Sequence, residues 1–128
     1  MMNKSLQSVL FCCDYNSVRS PMAEGIFKKL MGRRVFVQSA GVYNNLEING
    51  FSIRVCQEID VELKRHQVKS LDELERQGGF VGTFDVAIAL TPLSLKKISE
   101  YGRFSSLEIE FWEIEEPINS DSGIEYTL

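Results

Sequence analysis

The chain has 128 residues, of which 44% are hydrophobic and 25% are charged, and these proportions are ordinary for a globular protein. The length favours one domain, residues 1–128, with a single core. Fourteen basic and eighteen acidic residues give a net charge of −4. The basic residues are scattered in short pairs, which argues against a nucleic-acid-binding face.

Membrane and metal sites are also disfavoured. The apolar run at residues 9–13 has five residues, far fewer than the ~20 that span a bilayer, and no signal-peptide pattern precedes it. We therefore expect a cytoplasmic protein without membrane contact. Three cysteines lack disulfide or zinc spacing, and with a single histidine a metal cluster or a Ser-His-Asp triad has little support.

Strand and helix patterns alternate along the chain. Strands are predicted at residues 8–13, 35–37, 84–90 and 107–112, and helices at residues 21–31, 49–59, 71–77 and 92–101. This alternation predicts an α/β fold with a mainly parallel sheet of about four strands. The polar stretch at residues 118–123 is interpreted as a linker.

The loop after the first strand is the most informative segment. Ligands of such sheets bind at the carboxyl ends of strands, where the strand order reverses. A loop of this length over a helix N-terminus can point its backbone N–H groups inward, and the helix dipole adds about half a positive charge. Such a cradle suits a tetrahedral dianion. The candidate phosphate-binding residues are Asp14, Tyr15, Asn16, Ser17, Val18 and Arg19.

Two side chains of this segment predict chemistry. Arg19 can bind two phosphate oxygens with its planar guanidinium, which lysine cannot reproduce. Cysteines at helix N-termini near cations have pKa values of roughly 3.5–7.5, so we expect Cys13 to be an ionised nucleophile. Ser20 can cap the helix or donate its hydroxyl to the thiolate, and Pro21 suits the first helical position.

The segment VLFCCDYNSVRSPMAEGIF closely resembles the phosphate-binding loop and first helix of low-molecular-weight protein tyrosine phosphatases and of the related arsenate reductases. The resemblance covers roughly residues 8–117 and includes Ser39-Ala40-Gly41, Ile59-Asp60, His66, Phe84-Asp85, Trp112 and Glu116-Pro117. It implies a flavodoxin-like three-layer fold and a cysteinyl-phosphate intermediate that water hydrolyses, without metal or organic cofactor. The implied substrates are phosphorylated proteins or small phosphate monoesters.

The resemblance also implies individual roles. Cys13 would be the nucleophile and Arg19 the phosphate-binding cation, while Ser20 would support the thiolate and Asn16 would brace the loop. The acid of the family is an aspartate before a proline, and Glu116 stands in its place.

The acid position departs from the family's pattern. Glu116 is one methylene longer than an aspartate, and the neighbouring Glu115 is an alternative acid. General acid catalysis contributes typically ~10²–10⁴ in rate, so we expect slow but real turnover.

The loop and the substrate wall depart from the pattern as well. An inward carboxylate at Asp14 would repel phosphate, so we expect it to point outward. Tyr15 stands where relatives often have glycine, which requires a backbone conformation that a bulky residue can adopt. Ile118 and Asn119 replace aromatic residues of the family, which weakens the case for phosphotyrosine, although Tyr15 and Tyr43 can supply a different wall.

The chain stops eleven residues after Pro117, whereas family members continue into a final helix. We therefore expect the fold to lack that helix. Because a parallel sheet is normally covered on both faces, we expect an exposed apolar strip. A partner chain, such as a second copy in a homodimer, would cover it, or the protein would be only marginally stable.

Alternative functions remain open. Cys12 and Cys56 are predicted to be core residues, and His66 a structural hydrogen-bonding residue. Thioredoxin-coupled arsenate reduction is less favoured, because it needs further cysteines and none follows Cys56. A non-catalytic phosphate-binding or regulatory module would account for Asp14, Glu116 and the missing helix.

Overall fold

The computed structural model describes residues 6–44, 46–63 and 65–114, together with the backbone of two short strands further on. A four-stranded sheet is formed by β1 (Ser8–Cys13), β2 (Phe36–Gly41), β3 (Val86–Ala89) and β4 (Glu108–Phe111). The helices are α1 (Arg19–Met31), α2 (Gly50–Glu58), α3 (Leu71–Arg76) and α4 (Pro92–Tyr101). In the described part of the chain, no helix combines the length and apolarity needed to cross a membrane.

The order of strands across the sheet is β2-β1-β3-β4, and every neighbouring pair is parallel. The predicted α/β fold with a parallel four-stranded sheet is therefore confirmed. The chain passes from β1 to β2 on one side and later reaches β3 on the other, so the strand order reverses beside β1. The crevice at such a reversal is where doubly wound sheets bind ligands, and the loop at residues 14–18 leaves β1 at this point.

The central strand is buried on both faces. Leu10 and Cys12 join a core cluster with side chains of α3 and α4, whereas Val9, Phe11 and Cys13 join a second cluster with side chains of α1. Successive side chains of a strand point to opposite faces, so a continuous apolar run supplies both cores. The sheet lies between two helical layers.

Helix α1 begins two residues earlier than predicted. Its N-cap is Val18, which makes no side-chain capping hydrogen bond. Pro21 is the third helical residue, not the first as predicted. This position still suits proline, because the first four N–H groups of a helix have no intrahelical acceptor. The helix therefore starts directly at Arg19, at the end of the loop.

An apolar groove of about 450 Å³ lies beside α1. The exposed fractions of Leu30 and Trp112 are 71% and 50%, and the groove is lined by Phe11, Arg19, Met22, Ala23, Ile26, Phe27, Leu30, Leu90, Trp112 and Ile114. The described part of the chain thus contains an apolar groove with exposed side chains. The absence of a final helix over it and its covering by a partner chain stay predictions.

The segment after β4 differs from the expectation of a linker. Backbone strands β5 (Ile118–Ser120) and β6 (Gly123–Glu125) pair antiparallel, so the assignment of residues 118–123 as a linker is wrong. Two three-residue strands can satisfy each other's backbone groups although neither has a recognisable strand pattern. No helix follows α4 in the described part of the chain.

Candidate active site

The end of β2 and the two residues that follow it hold the loop through main-chain contacts. The backbone N–H groups of Val42 and Tyr43 donate to the carbonyl oxygens of Cys13 and Asp14 at 3.1 and 2.8 Å. A Cβ atom on Gly41 would lie 2.7 Å from the backbone nitrogen of Asn16 and 2.9 Å from the carbonyl oxygen of Asp14. This close approach requires glycine. The Ser39-Ala40-Gly41 segment therefore constrains the conformation of the loop, although it is not part of the loop.

Asn16 is fully buried and has a φ of 55°, a left-handed conformation that asparagine tolerates better than most residues. Its Nδ2 donates to Ser20 Oγ at 2.8 Å and to Ser39 Oγ at 2.9 Å. Its Oδ1 accepts from the backbone N–H of Lys69 at 3.1 Å and lies 2.9 Å from His66 Nε2. One side chain thus joins the loop to α1, to β2 and to the segment before α3.

The sulfur of Cys13 lies 2.9 Å from Ser20 Oγ, and both residues are buried. Because Asn16 Nδ2 already donates to Ser20 Oγ, the hydroxyl hydrogen of Ser20 is left for the sulfur. The Ser20 hydroxyl therefore points a hydrogen-bond donor at the sulfur. Two roles were predicted for Ser20: capping the helix or contacting Cys13. Ser20 does not cap α1, and the contact with Cys13 is the one that the structure shows.

The guanidinium of Arg19 lies in the first turn of α1 and is largely buried. Its Nη1 donates to the carbonyl oxygen of Ile114 at 3.0 Å. Its Nη2 lies 3.7 Å from Asp14 Oδ2. The prediction that Asp14 points outward is wrong, because the loop brings this carboxylate back to the arginine. The other oxygen, Asp14 Oδ1, is buried and has no hydrogen-bond partner in the described part of the chain.

A second polar layer lies behind the loop. Ser39 Oγ donates to Glu24 Oε1 at 2.5 Å, and Lys28 Nζ donates to Glu24 Oε2 at 2.5 Å. His66 Nδ1 lies 3.7 Å from Glu24 Oε1. Burial lowers the pKa of His66, and the nearby Glu24 carboxylate only partly opposes this. The predicted hydrogen-bonding role of His66 agrees with these contacts.

Sequence reasoning missed Glu24. This residue is 7% exposed, on the helix face that also buries Ser20. The signal was a carboxylate one helical turn after Ser20, because residues four apart share a face of a helix. Its position beneath the loop depends on β2, which the local pattern of α1 does not reveal.

The other two cysteines belong to cores, as predicted. Cys12 is fully buried on the opposite face of β1 from Cys13, and burial together with the charge of Cys13 raises the pKa of its thiol. Cys56 is fully buried with Val61 and Leu63, and burial raises its thiol pKa. Neither sulfur shares the surroundings of Cys13.

An aromatic pair lies beside the loop. The ring centroids of Tyr15 and Tyr43 are 5.5 Å apart with an interplanar angle of 37°. Among the described non-glycine residues, positive φ occurs at Asn16 and Asp60, so Tyr15 has a backbone conformation that a bulky residue tolerates. The pair borders a cavity of about 530 Å³ lined by Tyr15, Val42, Tyr43, Asn44, Ser70, Asp72 and Arg76.

The predicted acid lies outside the described residues. This applies to Glu116, to the alternative Glu115 and to Pro117, so their positions relative to Cys13 stay predictions. Among the side chains that the structure does describe, no group of three or more histidine, cysteine, aspartate or glutamate residues could hold a metal ion.

Comparison with known proteins identifies the family. Residues 8–125 match the family model described as low molecular weight phosphotyrosine protein phosphatase. Arsenate reductase 1 of Staphylococcus saprophyticus is 28% identical over 120 residues, which cover 90% of this chain and 82% of the reductase. A solved arsenate reductase in the phosphate-binding state has a TM-score of 0.72 at 24% identity, covering 88% of this chain and 79% of that one. The arginine phosphatase YwlE of Bacillus subtilis has a TM-score of 0.66 at 27% identity, covering 82% and 68%. The chain therefore belongs to the low molecular weight phosphotyrosine protein phosphatase family.

Proposed function

We propose that this protein is a metal-independent phosphate monoester hydrolase of the protein tyrosine phosphatase type, which acts through a cysteinyl-phosphate intermediate. The observation that carries the proposal is the contact of 2.9 Å between Cys13 Sγ and Ser20 Oγ, at the end of β1 and beside the N-terminus of α1. The family assignment supports a cysteine-based reaction.

Substrate binding would use the loop and the helix together. The N–H groups of residues 14–18 and of the first turn of α1 supply donors, and the helix dipole favours an anion at this end. Arg19 adds a permanent positive charge in the same turn. Cys13 is 2% exposed, so molecules in bulk solvent have little access to it.

The reaction would proceed in two displacements. The Cys13 thiolate attacks phosphorus, forming an S–P bond, while the bond from phosphorus to the leaving oxygen breaks and that oxygen takes a proton from an acid. A water molecule then attacks phosphorus, the S–P bond breaks, and inorganic phosphate and the thiolate are regenerated. The donor at Ser20 would stabilise the thiolate before the first step and after the second.

Glu116 is the proposed acid, with Glu115 as the alternative. Its protonated carboxyl would give a proton to the leaving oxygen and would then accept one from the attacking water. A glutamate reaches one methylene further than the family's aspartate, so its loop must lie further back for the same contact. We therefore expect slower turnover than an ideally placed acid would give.

The Tyr15 and Tyr43 pair supports an aromatic leaving group. Both rings border the cavity beside the loop. Offset or tilted aromatic rings attract a third ring placed against them. This arrangement would replace the aromatic wall that the sequence lacks after Pro117, and it favours an aryl phosphate such as phosphotyrosine.

Hydrolysis of para-nitrophenyl phosphate between about pH 4.5 and 8, without added metal, tests the proposal. We expect turnover in the wild type, none in Cys13→Ser, and a reduction of about 10²–10⁴ in Glu116→Gln. Cys56→Ser is the matched control, because it makes the same atom exchange away from the loop and should retain turnover. Phosphate binding without turnover would instead identify a phosphate-binding module.

Arsenate reduction is the second candidate, favoured by the similarity to arsenate reductases. Reducing arsenate to arsenite requires two electrons, which a pair of thiols supplies as it becomes a disulfide. Cys12 faces the opposite core and Cys56 is fully buried elsewhere, so neither is placed to pair with Cys13. The second thiol would come from an external reductant such as thioredoxin. Arsenate-dependent oxidation of thioredoxin by the wild type would favour this candidate over the phosphatase.

A further inference from the structure

Asp14 places an acidic group inside a loop that otherwise suits an anion. One carboxylate oxygen lies 3.7 Å from Arg19 Nη2. The other, Oδ1, is buried without a hydrogen-bond partner in the described part of the chain. A buried acceptor without a donor is unfavourable and uncommon in folded proteins. A ligand that brings a donor into the loop would satisfy it.

We propose that Asp14 is a specificity-determining residue, which makes the loop select phosphoryl groups that carry a proton over fully ionised tetrahedral anions. The proposal rests on the proposed function, because it concerns the same loop. A protonated phosphoryl oxygen donates a hydrogen bond to Asp14 Oδ1. A fully ionised anion has only acceptors, so it leaves Oδ1 unsatisfied and is repelled by the carboxylate.

The contacts of Arg19 lead to the same selectivity. Its Nη1 is hydrogen-bonded to the carbonyl oxygen of Ile114, and its Nη2 faces Asp14. A doubly charged anion that binds both nitrogens must displace the carboxylate from the guanidinium. A singly charged anion can share the guanidinium with Asp14 through the bridging proton. Cys13 and Tyr15 are the titratable neighbours of Asp14 along the chain, and Tyr43 contacts the backbone of Asp14 and the ring of Tyr15. A Cys13 thiolate also repels a dianion more than a monoanion.

The test compares two tetrahedral anions that differ in the proton. At about pH 5.5, inorganic phosphate is present as dihydrogen phosphate, which carries one negative charge and two protons, whereas sulfate carries two negative charges and no proton. Calorimetry with Cys13→Ser, which removes the thiolate charge and turnover, measures both affinities. We expect phosphate to bind about tenfold more tightly than sulfate. Adding Asp14→Asn should bring the ratio close to one, because the amide offers both a donor and an acceptor.

The matched control is Asp60→Asn in the same background. It removes an exposed carboxylate that lies outside the loop and outside the lining of the neighbouring cavity. Asparagine tolerates the left-handed conformation of this residue, so the ratio should be unchanged. If Asp14→Asn is poorly folded, Asp14→Ser provides a second measurement and should also lower the ratio. If the Asp14 variants leave the ratio of phosphate to sulfate affinity unchanged, the inference is overturned. An unchanged ratio with an equal loss of both affinities would assign Asp14 to positioning Arg19. Absence of phosphate binding altogether would overturn the proposed function as well.

Discussion

Replacing Asn16 with alanine is the most direct test of the loop's internal support. The change leaves two donors without their acceptor, the backbone N–H of Lys69 and the Nε2–H of His66. An unsatisfied buried donor costs about 1–3 kcal/mol. Alanine in the left-handed conformation that Asn16 adopts adds roughly 1 kcal/mol. Since losses at neighbouring groups are not additive, we expect Asn16→Ala to lower the free energy of unfolding by about 3–5 kcal/mol.

The measurement is urea unfolding followed by far-ultraviolet circular dichroism, with linear extrapolation to water. Asn49→Ala is the matched control. Asn49 caps α2 by accepting from the backbone N–H of Ser52 at 3.0 Å, and loss of such a cap costs about 0.5–2 kcal/mol. If Asn16→Ala were no more destabilising than Asn49→Ala, the four contacts of Asn16 would contribute little and the argument for a supporting network would fail.

Three further outcomes are expected. Gly41→Ala should displace the loop and abolish phosphate binding, whereas Gly50→Ala, whose added Cβ meets nothing within 4 Å, should bind normally in the same calorimetric titration. Ser20→Ala should slow alkylation of Cys13 by iodoacetate at mildly acidic pH severalfold, since the thiolate loses a donor; an unchanged rate would refute the assigned contact. Burial lowers the pKa of His66, so its contribution to stability is present above the unfolded value of about 6.5 and is lost as pH falls through the folded value. The slope of unfolding free energy against pH below about 6.5 should therefore be smaller in His66→Gln.

The sheet and the position of the loop were predictable because both depend on local patterns. Strand β1 was predicted at its observed bounds, Ser8–Cys13, since it is a short apolar run with a polar loop after it. Helix α4 was likewise predicted at Pro92–Tyr101, where a proline marks the first turn and a glycine follows the end. Spacing alone then brought Cys13 and Arg19 to the carboxyl edge of the sheet.

Side-chain directions within the loop were less predictable. The direction of the Asp14 side chain depends on the position of Arg19 after the loop has folded. The expected repulsion between this carboxylate and a bound phosphate did not predict it. Glu24 required knowledge of which face of α1 lies under Ser39. The pairing of β5 with β6 joins two segments whose residues have no strong strand pattern. In each case the deciding contact lies outside the local segment.

The separation of the three cysteine side chains matters when peroxide oxidises Cys13. Cys12 and Cys13 lie in different cores on the two faces of the strand, and Cys56 is buried in a third cluster. A sulfenic acid formed at Cys13 therefore has no neighbouring thiol to condense with. Its repair depends on a diffusible thiol that can enter the loop, and without one it is open to further irreversible oxidation. Because successive side chains of β1 point to opposite faces, reduction of an oxidised Cys13 depends on thiols in the surrounding solution.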